Sequence, residues 1–242
     1  LINIVGDHAV DHLKYNAPLT SDIIGVASPM SDWVRTSKSP SDLATAGAEA
    51  IAISQSYPGS ICTVIAPGDH AWGSNAVIAP QIKVSTPKTI SDEDISDATQ
   101  KLLRAEYPAL FLGSRALRKD ALHHAGRIAA KINARIICVT LPARLQRGEG
   151  VVSIERLPYF AESAVEFLKG LTHITFVGAP PPVAFFAYPD KPGWLSPEGA
   201  ELLELASPNI DAEDTLKRLA DAMDAPNTPE KIQTKEIFGY EE

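Results

Sequence analysis

Cysteine is scarce in this chain of 242 residues, which excludes a disulfide framework and a cysteine-based metal site. The two cysteines, Cys62 and Cys138, both lie inside apolar runs of strand-like composition. Single buried cysteines of this kind stay reduced, as is typical of cytosolic proteins. We therefore expect two free thiols and a cytoplasmic location.

Long apolar runs and an excess of positive charge are also missing. No apolar stretch approaches the ~20 residues that a membrane-spanning helix needs. The chain has 22 basic and 30 acidic residues, for a formal net charge of -8. A protein with this charge repels phosphate backbones. We expect neither a membrane span nor a nucleic-acid partner.

The common motifs of catalysis and nucleotide binding do not occur. GxSxG, the P-loop, CxxC and HExxH are absent, so no nucleophile is visible. A Rossmann fingerprint needs three glycines so that the backbone can approach a pyrophosphate, whereas the turn at residues 112–115 has Gly113 alone. A later turn, residues 178–182, ends in three prolines, which lack the N–H groups that bind phosphate. These turns favour a nucleotide-type fold without a nucleotide, and FAD is not expected.

Strand-like apolar runs alternate with helical patterns in a first block, residues 1–73. Strands are predicted at residues 1–5 and 61–66, and a helix capped by Ser39 is predicted at residues 40–55. This alternation implies parallel strands with right-handed crossovers. The first strand is interpreted as buried, and a buried parallel strand needs neighbours on both sides. On that basis we expect the chain to be a piece of a larger protein.

A second block, residues 90–225, repeats the pattern at greater length. Strands are predicted at 109–113, 135–140, 173–178 and 201–205, and helices at 91–106, 116–133, 159–170 and 211–223. Residues 74–89 and 226–242 lack a core pattern and are interpreted as linkers, the second leading to a further domain. The expected fold class is α/β, with a three-layer Rossmann-like parallel sheet in a central domain that follows an incomplete α/β domain.

Polar residues follow the first strand as a close group. Asp7, His8, Asp11 and His12 would bring both histidines to one face if the segment were helical. The preceding glycine and the absence of HExxH spacing favour a loop instead. Loops at the carboxyl ends of parallel strands line ligand pockets. A pocket-lining loop and a solvated polar turn are both compatible with this group.

Two further groups of residues, one charged and one aromatic, do not indicate a particular chemistry. Arg144, Arg147 and Glu149 form a charged loop that is interpreted as surface. Phe185 and Phe186 belong to an aromatic segment that is assigned to the core or to an interface.

Several short segments follow one another in an order that is familiar from one enzyme family. They are VGDHA (5–9), NAPLTSDI (16–23), WVRT (33–36), IAPGDHAW (65–72), LGSRALR (112–118), LPYF (157–160) and AFFAYP (184–189). With these segments the chain resembles thiamine diphosphate-dependent enzymes of the acetolactate synthase large-subunit type. The resemblance extends over nearly the whole chain.

The resemblance implies a domain organisation and an activity. Family members have three α/β domains, so residues 1–73 would end the N-terminal pyrimidine-binding domain and residues 90–225 would form the central domain. The parent protein would be a carboligase or decarboxylase of small 2-oxo acids, with thiamine diphosphate carrying the carbanion and Mg²⁺ holding the diphosphate. A homodimer or homotetramer is the implied assembly. Asp7 and His8 fall at positions that line the active site in relatives.

The same resemblance implies that two working parts lie outside this chain. The family's catalytic glutamate, which protonates the aminopyrimidine ring, is placed upstream of Leu1. The family's Mg²⁺ motif is GDG followed by an asparagine roughly 25–30 residues later, whose oxygens suit a hard cation. The nearest string here is Gly68-Asp69-His70, without the second glycine or that asparagine. We therefore assign no catalytic, cofactor-binding or metal residue, and expect the chain alone to be inactive and without bound cofactor.

Two other interpretations stay open at this stage. The second block could be a Rossmann-like module that binds FAD or another adenine nucleotide. Alternatively, it could have a purely structural role in oligomerisation.

Overall fold

The computed structural model describes residues 1–235 and divides into two units, Leu1–Pro87 and Lys88–Glu242. Each unit is built on its own parallel sheet. Among the described residues, no helix combines the length and the apolar character that a bilayer span requires. The predicted α/β class with parallel sheets is confirmed.

The first unit is a three-stranded sheet with the order β1-β3-β2. Its elements are β1 (Ile2–Asp7), α1 (Ile23–Ala27), β2 (Trp33–Thr36), α2 (Pro40–Gln55), β3 (Cys62–Pro67) and α3 (Gly68–Trp72). Two of the helices begin at side-chain caps. Asp22 accepts a hydrogen bond from the backbone N–H of Gly25, and Ser39 accepts one from that of Asp42.

The first strand is less buried than its composition predicts. β3 lies in the middle of the sheet and is largely buried, whereas β1 is at the edge, with the side chain of Ile4 77% exposed. The core of this unit is small and centres on Cys62, Val64 and two alanines of α2. The prediction that the first strand is buried is wrong, because no residue of β1 is fully buried. A short apolar run has the same composition in a central strand and at an edge.

The second unit is a five-stranded parallel sheet with the order β6-β5-β4-β7-β8. Its elements are α4 (Asp92–Arg104), β4 (Pro108–Leu112), α5 (Lys119–Ile132), β5 (Arg135–Cys138), β6 (Glu155–Arg156), α6 (Ala161–Leu168), β7 (His173–Val177), β8 (Glu201–Ala206) and α7 (Ala212–Ala222). The strand order reverses at β4, which is the topological switch point of the sheet. β8 lies at an edge of the sheet.

Helices cover both faces of this second sheet and form two cores. Along β4, Leu110 and Leu112 pack with α4, α5 and α7, whereas Ala109 and Phe111 pack with α6 on the other face. This alternation follows from the period of two along a strand. Burial of each large side chain contributes about 1.5–3 kcal/mol. The second unit therefore has the expected three layers.

Several boundaries differ from the expected ones. β6 is two residues long, too short for a periodic signal, and was not predicted. α5 begins at Lys119, after a 3-10 turn at Ser114–Leu117. Within the expected second linker, residues 231–233 pair with residues 150–153, including hydrogen bonds from Ser153 N to Lys231 O and from Gln233 N to Val151 O. The last residues of that linker, 236–242, lie outside the described residues.

Candidate functional site

The carboxyl ends of all three strands meet at one edge of the first sheet. The parallel register places Asp7 of β1 beside Pro67 of β3, and Thr36 of β2 beside Ile65. The residues that follow these strands therefore approach one another. This edge is the position at which open parallel sheets bind ligands.

Asp7 and His8, the two predicted pocket-lining residues, lie at this edge and are half-buried. The carboxylate of Asp7 accepts a hydrogen bond from the backbone N–H of His8 at 2.7 Å. Nε2 of His8 donates to the carbonyl oxygen of Pro18 at 3.0 Å. This bond occupies the Nε2–H of His8 with a backbone acceptor. The structure places His8 at the ligand-binding edge, and its pocket-lining role stays a prediction.

The loop after β1 is held against the helix that follows β3. Asp69, in the first turn of α3, accepts a hydrogen bond from the backbone N–H of Val10 at 3.0 Å. Residues 10–15 form a 3-10 helix where the sequence predicts an irregular polar loop. In this helix the ring of His12 lies 5.5 Å from that of His8 and 5.6 Å from that of Tyr15, measured between centroids. Asp69 thereby fixes the segment that carries these rings.

Sequence reasoning missed a buried pair at the same edge, His70 and Ser37. His70 is only 7% exposed, and its Nδ1 lies 2.9 Å from the Oγ of Ser37. Ser37 directly follows β2, and its backbone N–H donates to the carbonyl oxygen of Ile65. The available signal was position alone, because His70 lies shortly after the strand predicted at residues 61–66. Their contact depends on the pairing of β2 with β3, which periodicity does not reveal.

In the second unit, the turn after β4 and the turn after β7 pack directly against each other. Gly113 follows β4 and Gly178 follows β7, on the two sides of the switch point. A Cβ on Gly113 would lie 2.6 Å from the carbonyl oxygen of Gly178, and a Cβ on Gly178 would lie 2.5 Å from that of Gly113. These glycines are required because two backbones approach each other. In dinucleotide-binding folds, a pyrophosphate lies in this crevice. Here the two glycine turns occupy that space, which counts against a dinucleotide site.

The aromatic segment after β7 lies at the surface. Phe185 is 50% and Phe186 59% exposed, so the assignment to the core is wrong for these two side chains. Tyr159 stacks on Phe185 with 4.8 Å between ring centroids. An ion pair between Glu162 and Lys191 borders the same shallow pocket. The interface assignment stays a prediction.

No protein-family profile matches the chain. A protein of Mycobacterium tuberculosis named acetolactate synthase large subunit IlvX is 40% identical to it over 228 residues, which is 94% of this chain. The resemblance to acetolactate synthase large subunits is confirmed. The match covers 43% of the relative, so the chain spans less than half the length of that curated protein.

Solved structures of thiamine diphosphate-dependent enzymes share the fold of this chain. An enzyme of this kind from Mycobacterium smegmatis superposes with a TM-score of 0.75 at 23% identity, covering 98% of this chain and 48% of its own. The 4-hydroxybenzoylformate decarboxylase of Rhodococcus jostii RHA1 gives 0.75 at 21%, covering 100% and 49%. The benzoylformate decarboxylase of Polynucleobacter necessarius gives 0.65 at 22%, covering 100% and 48%. At these identities the likeness establishes the fold.

The described residues of this chain do not fit the magnesium-bound diphosphate that the resemblance to thiamine diphosphate-dependent enzymes implies. Within residues 1–235, no group of three or more His, Cys, Asp or Glu side chains is arranged to hold a metal ion. The carboxylate of Asp69, in the string nearest to the family's motif, instead accepts the N–H of Val10. Mg²⁺ demands near-octahedral oxygen coordination, and the described residues do not offer it.

Proposed function

We propose that this chain forms part of a thiamine diphosphate-dependent enzyme that makes or breaks a carbon–carbon bond next to the carbonyl of a small 2-oxo acid. The activity would be that of an acetolactate synthase-like carboligase or decarboxylase. The observation that carries the proposal is the 40% identity to the M. tuberculosis relative across 94% of the chain. The decarboxylases among the structural neighbours support the same reaction class.

In this proposal the edge of the first sheet contributes one wall of the substrate pocket. His8 is proposed to contact the substrate, because it directly follows β1 at the ligand-binding edge and is only half-buried there. Asp7 orients His8, because its carboxylate accepts the backbone N–H of His8. Asp69 acts as a positioning residue, since its bond to Val10 holds the loop after His8. A 2-oxo acid offers carboxylate and carbonyl oxygens as acceptors, and one of them would replace the carbonyl oxygen of Pro18 on the Nε2–H of His8.

The proposal assigns the cofactor chemistry to the parent protein. There, thiamine diphosphate would act with Mg²⁺, in a homodimer or homotetramer located in the cytoplasm. The chain alone is proposed to be inactive, because its described residues include no group of three or more His, Cys, Asp or Glu side chains arranged to hold a metal ion. An assay of this chain with pyruvate, thiamine diphosphate and Mg²⁺ tests this part. Turnover above the protein-free blank would refute it.

A segment exchange tests the activity itself. The matched 228-residue segment of the M. tuberculosis relative is replaced by the corresponding residues of this chain. Release of CO₂ and formation of acetolactate are then measured with pyruvate, 2-oxobutyrate and benzoylformate. We expect the exchanged protein to act on a 2-oxo acid that the unmodified relative also uses. A folded exchange protein that is inactive beside an active relative would contradict the proposal.

A further inference from the structure

The segment after α7, residues 224–233, forms a strap that lies against α5. Its first residue, Asp224, has a left-handed backbone with a φ of 49°, a conformation that ends a helix and turns the chain. At its other end, the backbone N–H of Gln233 donates to the carbonyl oxygen of Val151 at 2.8 Å. The far end of the strap is therefore fixed to the segment that precedes β6.

The middle of the strap packs on α5 and closes a cavity. A Cβ added to Gly126 of α5 would lie 2.6 Å from the Cβ of Pro229, so the strap fits only against a residue without a side chain. Glu230 and Lys231 form part of the lining of a cavity of about 200 Å³, and small residues of α5 form another part. The strap is therefore one wall of this cavity.

Arg127 of α5 holds the beginning of the strap. This residue is only 8% exposed. Its Nε donates to the carbonyl oxygen of Pro226 at 3.0 Å, and its Nη2 donates to that of Ala225 at 3.4 Å. Nη2 also forms an ion pair with Asp221 of α7 at 3.0 Å. Since a buried guanidinium without acceptors is costly, the position of Arg127 and that of the strap depend on each other.

A further partner of Arg127 is His124, one turn earlier on α5. Nη1 of Arg127 lies 3.2 Å from Nδ1 of His124. A guanidinium group has donors only, so Nδ1 of His124 accepts this hydrogen bond. An imidazole nitrogen accepts through a free lone pair, which the protonated ring lacks on both nitrogens. The contact therefore requires a neutral His124.

The charged and titratable neighbours of His124 come from α5 and α7. Burial lowers the pKa of His124, and the charges of Arg127 and His123 on α5 and of Lys217 on α7 lower it further. Of the described residues that act on this ring, only Asp221 raises its pKa. The carboxylate of Asp221 is already shared between Arg127 and Lys217. These neighbours therefore favour the neutral ring that the hydrogen bond needs.

We propose that His124 and Arg127 form a proton-sensitive latch that holds the strap against α5, and that protonation of His124 releases the strap. Protonation places an N–H on Nδ1, which then faces a donor of Arg127 and no longer accepts from it. It also brings two positive charges together, which repel each other. Arg127 then turns away, and the carbonyl oxygens of the strap lose their donors. Release removes one wall of the cavity beside α5.

Residue-resolved amide hydrogen exchange of the whole chain tests the latch. Exchange is measured between about pH 8 and about pH 5, the range in which histidine titrates, with rates corrected for the intrinsic effect of pH. The protection of the Gln233 amide and of the Ser153 amide, which donates to Lys231, should fall by at least about tenfold, as expected for loss of a hydrogen bond to a charged group. The amides of the central strand β4 report global unfolding, and their protection should change by less than about twofold.

His124→Gln separates the latch from other effects of acid. The glutamine side chain offers an oxygen that can accept from Arg127 but does not titrate. The protection of the strap in this variant should therefore be the same at both ends of the pH range. His123→Gln is the matched control, because it removes the adjacent histidine and leaves the contact between His124 and Arg127 in place. It should keep the fall that the unmodified chain shows.

A second measurement needs no variant. The ring of His124 is titrated by nuclear magnetic resonance in the unmodified chain, and its midpoint should coincide with that of the loss of strap protection. Strap protection that does not change as His124 titrates, or that changes with a different midpoint, would overturn the proposal. A fall of equal size in His124→Gln, shown to be folded by circular dichroism, would do the same.

Discussion

The two sheets of this chain are built from the same strand–helix alternation but differ in what covers them. The five-stranded sheet has apolar cores on both faces, whereas the three-stranded sheet has a small core and an exposed Ile4 on its edge strand. The polar contacts of the two units also differ in place. Acids and histidines gather at the carboxyl edge of the first sheet, whereas in the second unit a histidine and an arginine of α5 meet beside the strap. Similar local patterns therefore support different stability and different chemistry.

The largest effect should come from breaking the second core. Phe111→Ala removes a fully buried ring that lies 5.4 Å from that of Phe176, and should lower the free energy of unfolding by about 3–5 kcal/mol. Ile4→Ala, at the exposed edge of the first sheet, should change it by no more than about 0.5 kcal/mol. Urea denaturation of both variants measures the contrast. Equal losses would show that Ile4 is covered in solution.

The closed crevice should be nearly as sensitive. Gly113→Ala places a methyl group 2.6 Å from the carbonyl oxygen of Gly178 and should cost about 1–3 kcal/mol. Gly47→Ala is the matched control, because Gly47 lies within α2 with nothing within 4 Å of an added Cβ. It should stabilise the chain by roughly 0.5–1 kcal/mol. A harmless Gly113→Ala would show that the crevice has room, and would reopen the nucleotide-binding alternative.

The buried pair of the first unit should have an intermediate effect. Ser37→Ala leaves the buried Nδ1 of His70 without its hydroxyl partner and should cost about 1–3 kcal/mol. Ser54→Ala, at an exposed hydroxyl that bonds only a helix carbonyl, should change stability by no more than about 0.5 kcal/mol. Thermal unfolding of the two variants provides the measurement. Indistinguishable melting temperatures would show that the hydrogen bond between Ser37 and His70 does not stabilise the first unit.

The smallest effect is a pH dependence in the second unit. Burial lowers the pKa of His124 from its ordinary value of 6.5, and the charge of Arg127 lowers it further. The folded state then binds fewer protons than the unfolded state, so stability is lost as the pH falls below 6.5 towards the folded pKa. His124→Gln should therefore flatten the acid side of the melting-temperature profile. The adjacent His123→Gln is the control, and an unflattened profile in His124→Gln would contradict the assignment.

Local signals in the sequence were enough to predict most of the fold. Ser39 caps a helix as predicted, because capping depends on neighbours three residues apart. The alternation of strands and helices likewise fixed the α/β class. The edge position of β1 was not predictable, since the order of strands depends on tertiary packing rather than on composition.

The candidate sites were only partly predictable. Asp7 and His8 follow a strand directly, so their place at a sheet edge could be inferred. His70 and Ser37 are 33 residues apart in the sequence and are brought together by the pairing of β2 with β3. The strap was interpreted from residue 226 onwards as a linker, because its contacts with α5 become visible only once the chain is folded.

The central claim is that the carboxyl edge of the first sheet lines the pocket of a 2-oxo acid-converting enzyme. The most direct test is the turnover number of the segment-exchange protein with His8→Ala, compared with His173→Ala, a histidine that pairs with Glu201 in the second unit. The account predicts that His8→Ala lowers turnover by about 100-fold, as is usual for a positioned catalytic-site histidine, and that His173→Ala does not. Full turnover in His8→Ala would contradict it.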